Sequence, residues 1–324
     1  MDYLPVERTP INLWLAEEGE PTAITVTGHT YWHGISPNRT FAQWFIDVSH
    51  EYGHHAFPAF GPFTGNHERY AGGYLSERLN AIWLLEALRS NRAWLPERMT
   101  AKAQAELQAY IRQYHLQDVR EWCEWLYRQT KAGAMATVNV SEATQIPMSV
   151  FLGSAIFIER CFGDSFLKSV LDGCTDQTYD AFIGSFQKHI QRALDEGEVH
   201  IDPRITFAVN ARTTIAPLGD LIASTHSFTL PSTQLLPMWL PKYTIKCEVS
   251  LKLPKGAKVI MHVNGKGVRT NLLPSERQGG CARVIALLDS KIAGWHFIKL
   301  QIMGRGEATI ERMVLRKVEE VTER

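Results

Sequence analysis

His50 and His54 are separated by three residues, Glu51, Tyr52 and Gly53. On an α-helix that spacing puts two imidazoles on one face, one turn apart, where they can grip a single metal ion. Glu51, beside the pair, is a carboxylate placed to take a proton from a water that the metal polarises. The His-Glu-x-x-His pattern therefore predicts a site for one Zn²⁺ ion, with His50 and His54 as ligands and Glu51 as general base. In a chain of 324 residues with 12 histidines, chance alone produces the bare pattern about a few times in a hundred. The helix that would carry it therefore has to be argued separately.

Phe41, Trp44, Phe45, Val48 and Tyr52 recur at helical spacing, which predicts a helix from Thr40 or Phe41 to His55 with that stripe packed into a core. Gln43, Asp47, His50 and His54 project from roughly the opposite side, toward a cleft. His55 falls nearer the apolar stripe and reads as a packing residue or one that supports the ligands from behind.

A catalytic zinc takes three protein ligands and leaves a fourth position open. Two glutamates compete for third ligand. Glu77 lies in Gly73–Leu85, a helix apolar nearly all the way round, on a face shared with Ala81, Leu84 and Leu88. A carboxylate there is expensive unless it is paired or binds a metal. Glu68 lies in the polar loop Gly65-Asn66-His67-Glu68-Arg69, where a carboxylate needs no explanation, so Glu77 is the expected ligand. The competing account of Glu77 is a buried ion pair with Arg78 or Arg112.

His50-Glu51-Tyr52-Gly53-His54 followed, after 22 intervening residues, by Glu77 within Leu75-Ser76-Glu77 resembles the gluzincin clan of zinc metallopeptidases. In that clan the third ligand is a glutamate on the next helix. A weaker resemblance, to the aminopeptidase-like gluzincins, lies in Phe151–Ile158 and the turn Phe162-Gly163-Asp164 before another helix. There the first of these helices often opens with a tyrosine that stabilises the transition state. Val150 holds that place here, so the resemblance supplies no group for the task. It covers roughly residues 41 to 190 and is specific at the zinc motif. It implies a peptidase acting on a peptide or protein, glycoproteins included.

The rest of the chain is less eventful. Lys plus Arg and Asp plus Glu both number 34, and 45% of residues are hydrophobic. That balance argues against a nucleic-acid or anionic-membrane partner, and no run is long and apolar enough for membrane insertion as a helix. Met1–Glu7 has neither the basic start nor the apolar core of a signal peptide. That implies a cytoplasmic protein if Met1 is the native start, and is compatible with secretion if the N-terminus is truncated. The five cysteines show no paired close spacing and suggest neither a disulfide framework nor a zinc knuckle.

Before the motif, Ile24–Thr27 alternates like a strand. A strand bordering the active-site helix commonly pairs with extended substrate in zincins, and this is the obvious candidate. His29 and His33 flank Tyr31-Trp32 and read as structural or as reaching the cleft. The aromatic, proline-stiffened loop Ala56–Gly65 reads either as a cleft wall or as core packing. Helical patterns continue over 96–128, 147–162, 165–171 and 179–194, with loop-like residues at 131–145. Trp122, Trp125 and Leu126 mark a core stripe.

Past Val199 the period becomes strand-like, over 243–253, 258–263, 283–288, 295–302 and 309–315. Turn signals separate these runs, Gly304-Arg305-Gly306 among them. Residues 199–240 read as further strands or as a connection. The expected fold class is α+β, with a mainly helical zincin-like domain at residues 1–198 and an all-β sandwich at 199–324. The end of the chain faintly resembles jelly-roll carbohydrate-binding modules. The rival functional reading is a binding protein, glycan-binding by that resemblance, whose zinc site is structural or idle.

Overall fold

The computed structural model describes residues 12–90 apart from 19–21, 27–28, 35 and 37; 100–129; 146–264 apart from 210–214, 219–220 and 222–225; and 266–318 apart from 269, 275–279 and 291–292. The expected loop at 131–145 lies outside the described residues. The molecule is α+β, with helices and a large antiparallel sheet. The chain divides into two compact units. One takes in Met1–Val119, Gln145–Ile156 and Thr175–Tyr179, the other Arg120–Thr144, Phe157–Cys174 and Asp180–Arg324.

The first unit opens with β1 (Asn12–Leu15), β2 (Thr22–Val26) and β3 (His29–His33). They form a small sheet in the order β1-β3-β2, with β1 parallel and β2 antiparallel to β3. Helix α1 (Phe41–Ala56) follows. Thr40 caps it, its hydroxyl accepting from the Gln43 amide while the Gln43 side chain accepts from the Thr40 amide, a reciprocal box that fixes the first turn. Next come α2 (Gly72–Arg89), α3 (Ala101–Tyr110), a wide π-turn over Ile111–His115, and α4 (Leu116–Gln129).

The face of α1 that meets its neighbour is not the expected stripe. Phe41 is 46%, Val48 40% and Tyr52 38% exposed, whereas Ala42, Ser49, Gly53 and Ala56 are buried. Of the stripe, Trp44 packs edge-on against the buried Trp32 of β3. The reason is distance. A Cβ on Gly53 would lie 2.5 Å from both the Gly72 carbonyl oxygen and the Ser76 Cβ, so α1 and α2 meet backbone to backbone and only small residues fit the seam. The loop between them places Phe57, Phe60 and Phe63 in the core, with Phe60 and Phe63 stacked on Phe151. Of its two readings, core packing is the one observed.

In the second unit lie the later parts of α4 and of α5 (Met148–Phe162), then α6 (Asp164–Asp172) and α7 (Tyr179–Glu196). Strands β4 (Glu198–Ile201), β5 (Thr206–Val209), β6 (Ile215–Leu218), β7 (His226–Leu240), β8 (Thr244–Lys252), β9 (Lys258–Val263), β10 (Lys266–Gly267), β11 (Thr270–Pro274), β12 (Cys281–Asp289) and β13 (Gly294–Lys317) follow. All ten belong to one antiparallel sheet. The helices group with it because their aromatics enter its core. Trp122 packs against Phe157, Phe207 and Trp295, and Phe186 stacks on Trp295. The expected boundary between 198 and 199 therefore does not coincide with the division into units.

Strand β13 also corrects an expectation. Gly304-Arg305-Gly306 does not turn the chain between two strands; it interrupts the register of one 24-residue strand. The two glycines, at φ 152° and 105°, absorb a bulge that an L side chain would resist. The first half of β13 pairs with β7 and β9, the second half mainly with β8 and β4.

Candidate metal centre

All the residues of the candidate site belong to the first unit. Helix α1 presents His50 and His54 with ring centroids 5.0 Å apart, as the four-residue spacing requires. The loop before α2 brings Glu68 to them. Its Oε1 lies 3.1 Å from His50 Nε2 and its Oε2 3.8 Å from His54 Nε2. Donor atoms of these three side chains all lie within 4.8 Å of one another. Three ligands around one zinc sit about 3.3 Å apart, so small side-chain adjustments would close the set. Glu68 Oε2 is buried and accepts no hydrogen bond. A buried carboxylate oxygen without a donor is costly, and a cation in front of it would remove that cost. Two imidazoles and a carboxylate are a donor set that suits zinc and several other divalent ions.

Glu77 occupies a different place. It is buried, and its Oε2 lies 3.0 Å from Nδ1 of His50, on the far side of the ring from Glu68. Its other oxygen accepts from Tyr110 Oη at 2.6 Å and from Arg78. Glu77 thus forms the ion pair with Arg78 that is the competing account of it and also touches an imidazole of the site, and it stands outside the three-residue cluster. The ring of His50 lies along α2 between Gly73 and Glu77. A Cβ at Gly73 would sit 2.6 Å from His50 Nε2, so glycine makes the slot the ring occupies.

The electrostatics follow from this sandwich. Burial by itself would lower the His50 pKa, but hydrogen bonds and charge from Glu68 and Glu77 outweigh it and push it up to about 10. His54 moves the other way, lowered by burial and by the charge on His50. Burial opposes ionisation of Glu68, yet the hydrogen bond to His50 holds it below the usual carboxylate range. Tyr74, on α2, sets its ring edge-on to His50 with centroids 4.7 Å apart, and its hydroxyl lies 3.2 Å from His67 Nδ1. Burial and then Glu68 raise its phenol to about 12.

Glu51 receives a hydrogen bond from the Thr25 hydroxyl on β2. Because the carboxylate only accepts, that proton is committed, and Thr25 must accept from Thr30, 3.1 Å away. Thr30 in turn meets His55 Nε2 at 3.3 Å, so His55 supports the base through two hydroxyls. His29 stacks on Tyr31 and accepts from Trp14 Nε1 at 3.2 Å, and its charge, after burial, helps to lower the pKa of His55. Val150 is buried and supplies no donor.

Sequence reasoning reached the helix and its two histidines. It weighed Glu68 against Glu77 and preferred Glu77, and it did not single out Thr25, Tyr74 or Tyr110. Only Tyr74 carried a readable signal, three residues before Glu77 on one helical face. The others arrive through loops and long-range packing, which have no period.

One other polar cluster invites comparison with a catalytic triad. In the second unit His296 lies 3.1 Å from Ser290 Oγ and 3.0 Å from Asn264 Nδ2. The Asn264 carbonyl oxygen accepts from the Phe297 amide, so its Nδ2 donates to His296 Nδ1, and His296 Nε2 must donate to Ser290. A nucleophilic serine needs the reverse, and both residues are 3% exposed. The cluster ties strands together.

No family model matches the chain, and no curated protein matches it. Among solved structures, the catalytic unit of a thermostable GH87 α-1,3-glucanase from Streptomyces thermodiastaticus strain HF3-3 aligns at 13% identity over 31% of this chain and 21% of that one, TM-score 0.24. A GH115 4-O-methyl-α-glucuronidase, BtGH115A, aligns at 10% identity over 76% of this chain and 40% of that one, TM-score 0.23. Likenesses this slight leave the reading of the site to its own geometry.

Proposed function

We propose that the chain is a zinc-dependent peptidase, with His50, His54 and Glu68 holding the ion and Glu51 as general base. The observation that carries this is the buried, unpartnered Glu68 oxygen facing two imidazoles of a His-Glu-x-x-His helix. A purely structural site has no use for the extra carboxylate of Glu51 one residue from a ligand. The bound ion would polarise the scissile carbonyl and acidify a water. Glu51 takes that water's proton and delivers it to the leaving amine. Thr25 occupies one oxygen of Glu51 and so leaves the other for the proton.

A peptide suits the surroundings. Among the described residues β2 pairs with β3 alone, so its other edge offers main-chain donors and acceptors beside α1. An extended substrate can add there as a further strand, bound regardless of its side chains. Thr25 on that strand links the substrate edge directly to the base.

The test is zinc per chain in the wild type, Glu51→Gln and Glu68→Ala, with cleavage of a mixed peptide library by each. We expect one zinc in the wild type and in Glu51→Gln, cleavage by the wild type alone, and at least a hundredfold weaker zinc binding by Glu68→Ala. Proteolysis retained by Glu51→Gln would sink the assignment of the base. Zinc in the wild type without cleavage of any peptide would favour a binding protein with an idle site.

A further inference from the structure

Resting on that reading of the centre, we infer that Tyr110 and Arg78 are positioning residues for His50, acting on it through Glu77.

The hydrogen bonds have one consistent direction. Glu77 can only accept. Its Oε2 takes Nδ1–H of His50, and its Oε1 takes the single proton of Tyr110. The Tyr110 oxygen is thereby left to accept from Arg78, which also donates to Glu77 itself. Arg78 is anchored in turn, its Nε donating to Asp118 Oδ2 at 2.9 Å, while His115 Nε2 donates to the Arg78 carbonyl at 2.7 Å. Glu77, Arg78, His115 and Asp118 are all buried.

The π-turn is what assembles these partners. In a plain α-helix His115 would lie about 140° round the axis from Tyr110. The wider turn over Ile111–His115 brings it back to the same side, with its ring edge-on to Tyr110, centroids 5.6 Å apart. Tyr110 reaches Glu77, and His115 and Asp118 reach Arg78, from successive turns of one continuous rod.

A helix pair needs no such network for stability, since buried ion pairs are often replaced by apolar groups without loss. The network ends, however, on the one nitrogen of His50 that faces away from the cluster. Holding the proton on Nδ1 leaves Nε2 as the ligand atom and fixes the plane of the ring in the Gly73 slot.

The experiment uses the full chain and two variants, Tyr110→Phe and Glu77→Gln, so that a folding failure of either one does not end the test. In the metal-free protein, histidine-selective ¹⁵N spectra should show His50 with a slowly exchanging, hydrogen-bonded Nδ1 proton that exchanges rapidly in both variants. Zinc affinity, measured by chelator competition, should fall about 10- to 100-fold in Tyr110→Phe while its thermal midpoint stays within a few degrees of wild type. An unchanged Nδ1 proton and unchanged zinc affinity in a folded variant would overturn the clamp and leave the peptidase reading intact. A wild type that binds no zinc yet shows the protected Nδ1 proton, lost in Tyr110→Phe, would remove the peptidase reading and leave the clamp standing.

Discussion

In the metal-free protein His50 is an imidazolium bridging two carboxylates, because Glu68 and Glu77 raise its pKa from 6.5 to about 10. A metal must displace the proton on Nε2 to bind. His54, whose pKa is lowered, is already neutral and releases none. Near pH 7.5 zinc uptake should therefore release about one proton, and apparent affinity should rise about tenfold per pH unit up to about pH 9. Calorimetry in buffers of different ionisation enthalpy would measure the proton directly, and a value near zero would exclude a charged His50. The sign for stability is opposite. A raised histidine stabilises the fold fully below its unfolded value of 6.5, and that contribution is lost as pH climbs through about 10. At this scale the sequence was readable wherever spacing on a single helix decided the matter, as for His50, Glu51 and His54. Burial cost alone does not distinguish a metal ligand from a buried ion pair. Glu77 does need a partner on its apolar helix, but Arg78, Tyr110 and the back of His50 satisfy it. The loop residue Glu68, which seemed to need nothing, is the one left with a bare oxygen.

Among the elements, the seam between α1 and α2 controls the site. Two alanine substitutions should separate its two functions. At Gly53 the added methyl meets Gly72 backbone and the Ser76 Cβ at 2.5 Å, neither of which can swing away. Gly53→Ala should cost at least about 1–3 kcal/mol of stability, visible as a lower denaturation midpoint. At Gly73 the methyl's nearest neighbours are atoms of the His50 ring, 2.6 Å from its Nε2, and a side chain can move. Gly73→Ala should keep its midpoint near wild type yet lose zinc affinity tenfold or more. Equal effects of the two on stability would show that the seam does not divide in this way. Periodicity announces these helices, but the apolar stripe it marks on α1 is not the face that meets α2. Periodicity reports a face, not its neighbour. The small residues Ala42, Ser49, Gly53 and Ala56 at intervals of 7, 4 and 3 were the better sign of a close helix contact.

At the scale of the molecule, one compact unit holds both helices and the large sheet. Trp122 is 1% exposed and touches Phe157, Phe207 and Trp295. Trp122→Ala should therefore destabilise the β-containing unit by about 3–5 kcal/mol, read as early loss of sheet signal in urea, although the residue stands on a helix near the middle of the chain. If the sheet signal is unaffected, this packing is not what joins the helices to the strands. Alternation showed β8, β9, β12 and both halves of β13 because a half-buried sheet has a period of two, and left residues 199–240 undecided. It failed at Gly304 and Gly306, since a bulge and a turn draw on the same glycines. Strand β13 also dictates an order of events during synthesis. It is the partner shared by β4, β7, β8 and β9, and it is the last strand of the sheet to be translated. Among the described residues, the strands made before 294–317 pair with one another only as the ribbons β5-β6-β7, β8-β11-β12 and β9-β10. Their unpaired edges stay open to other nascent chains until residues 294–317 emerge, whereas every residue placed at the candidate metal centre has emerged by Asp118.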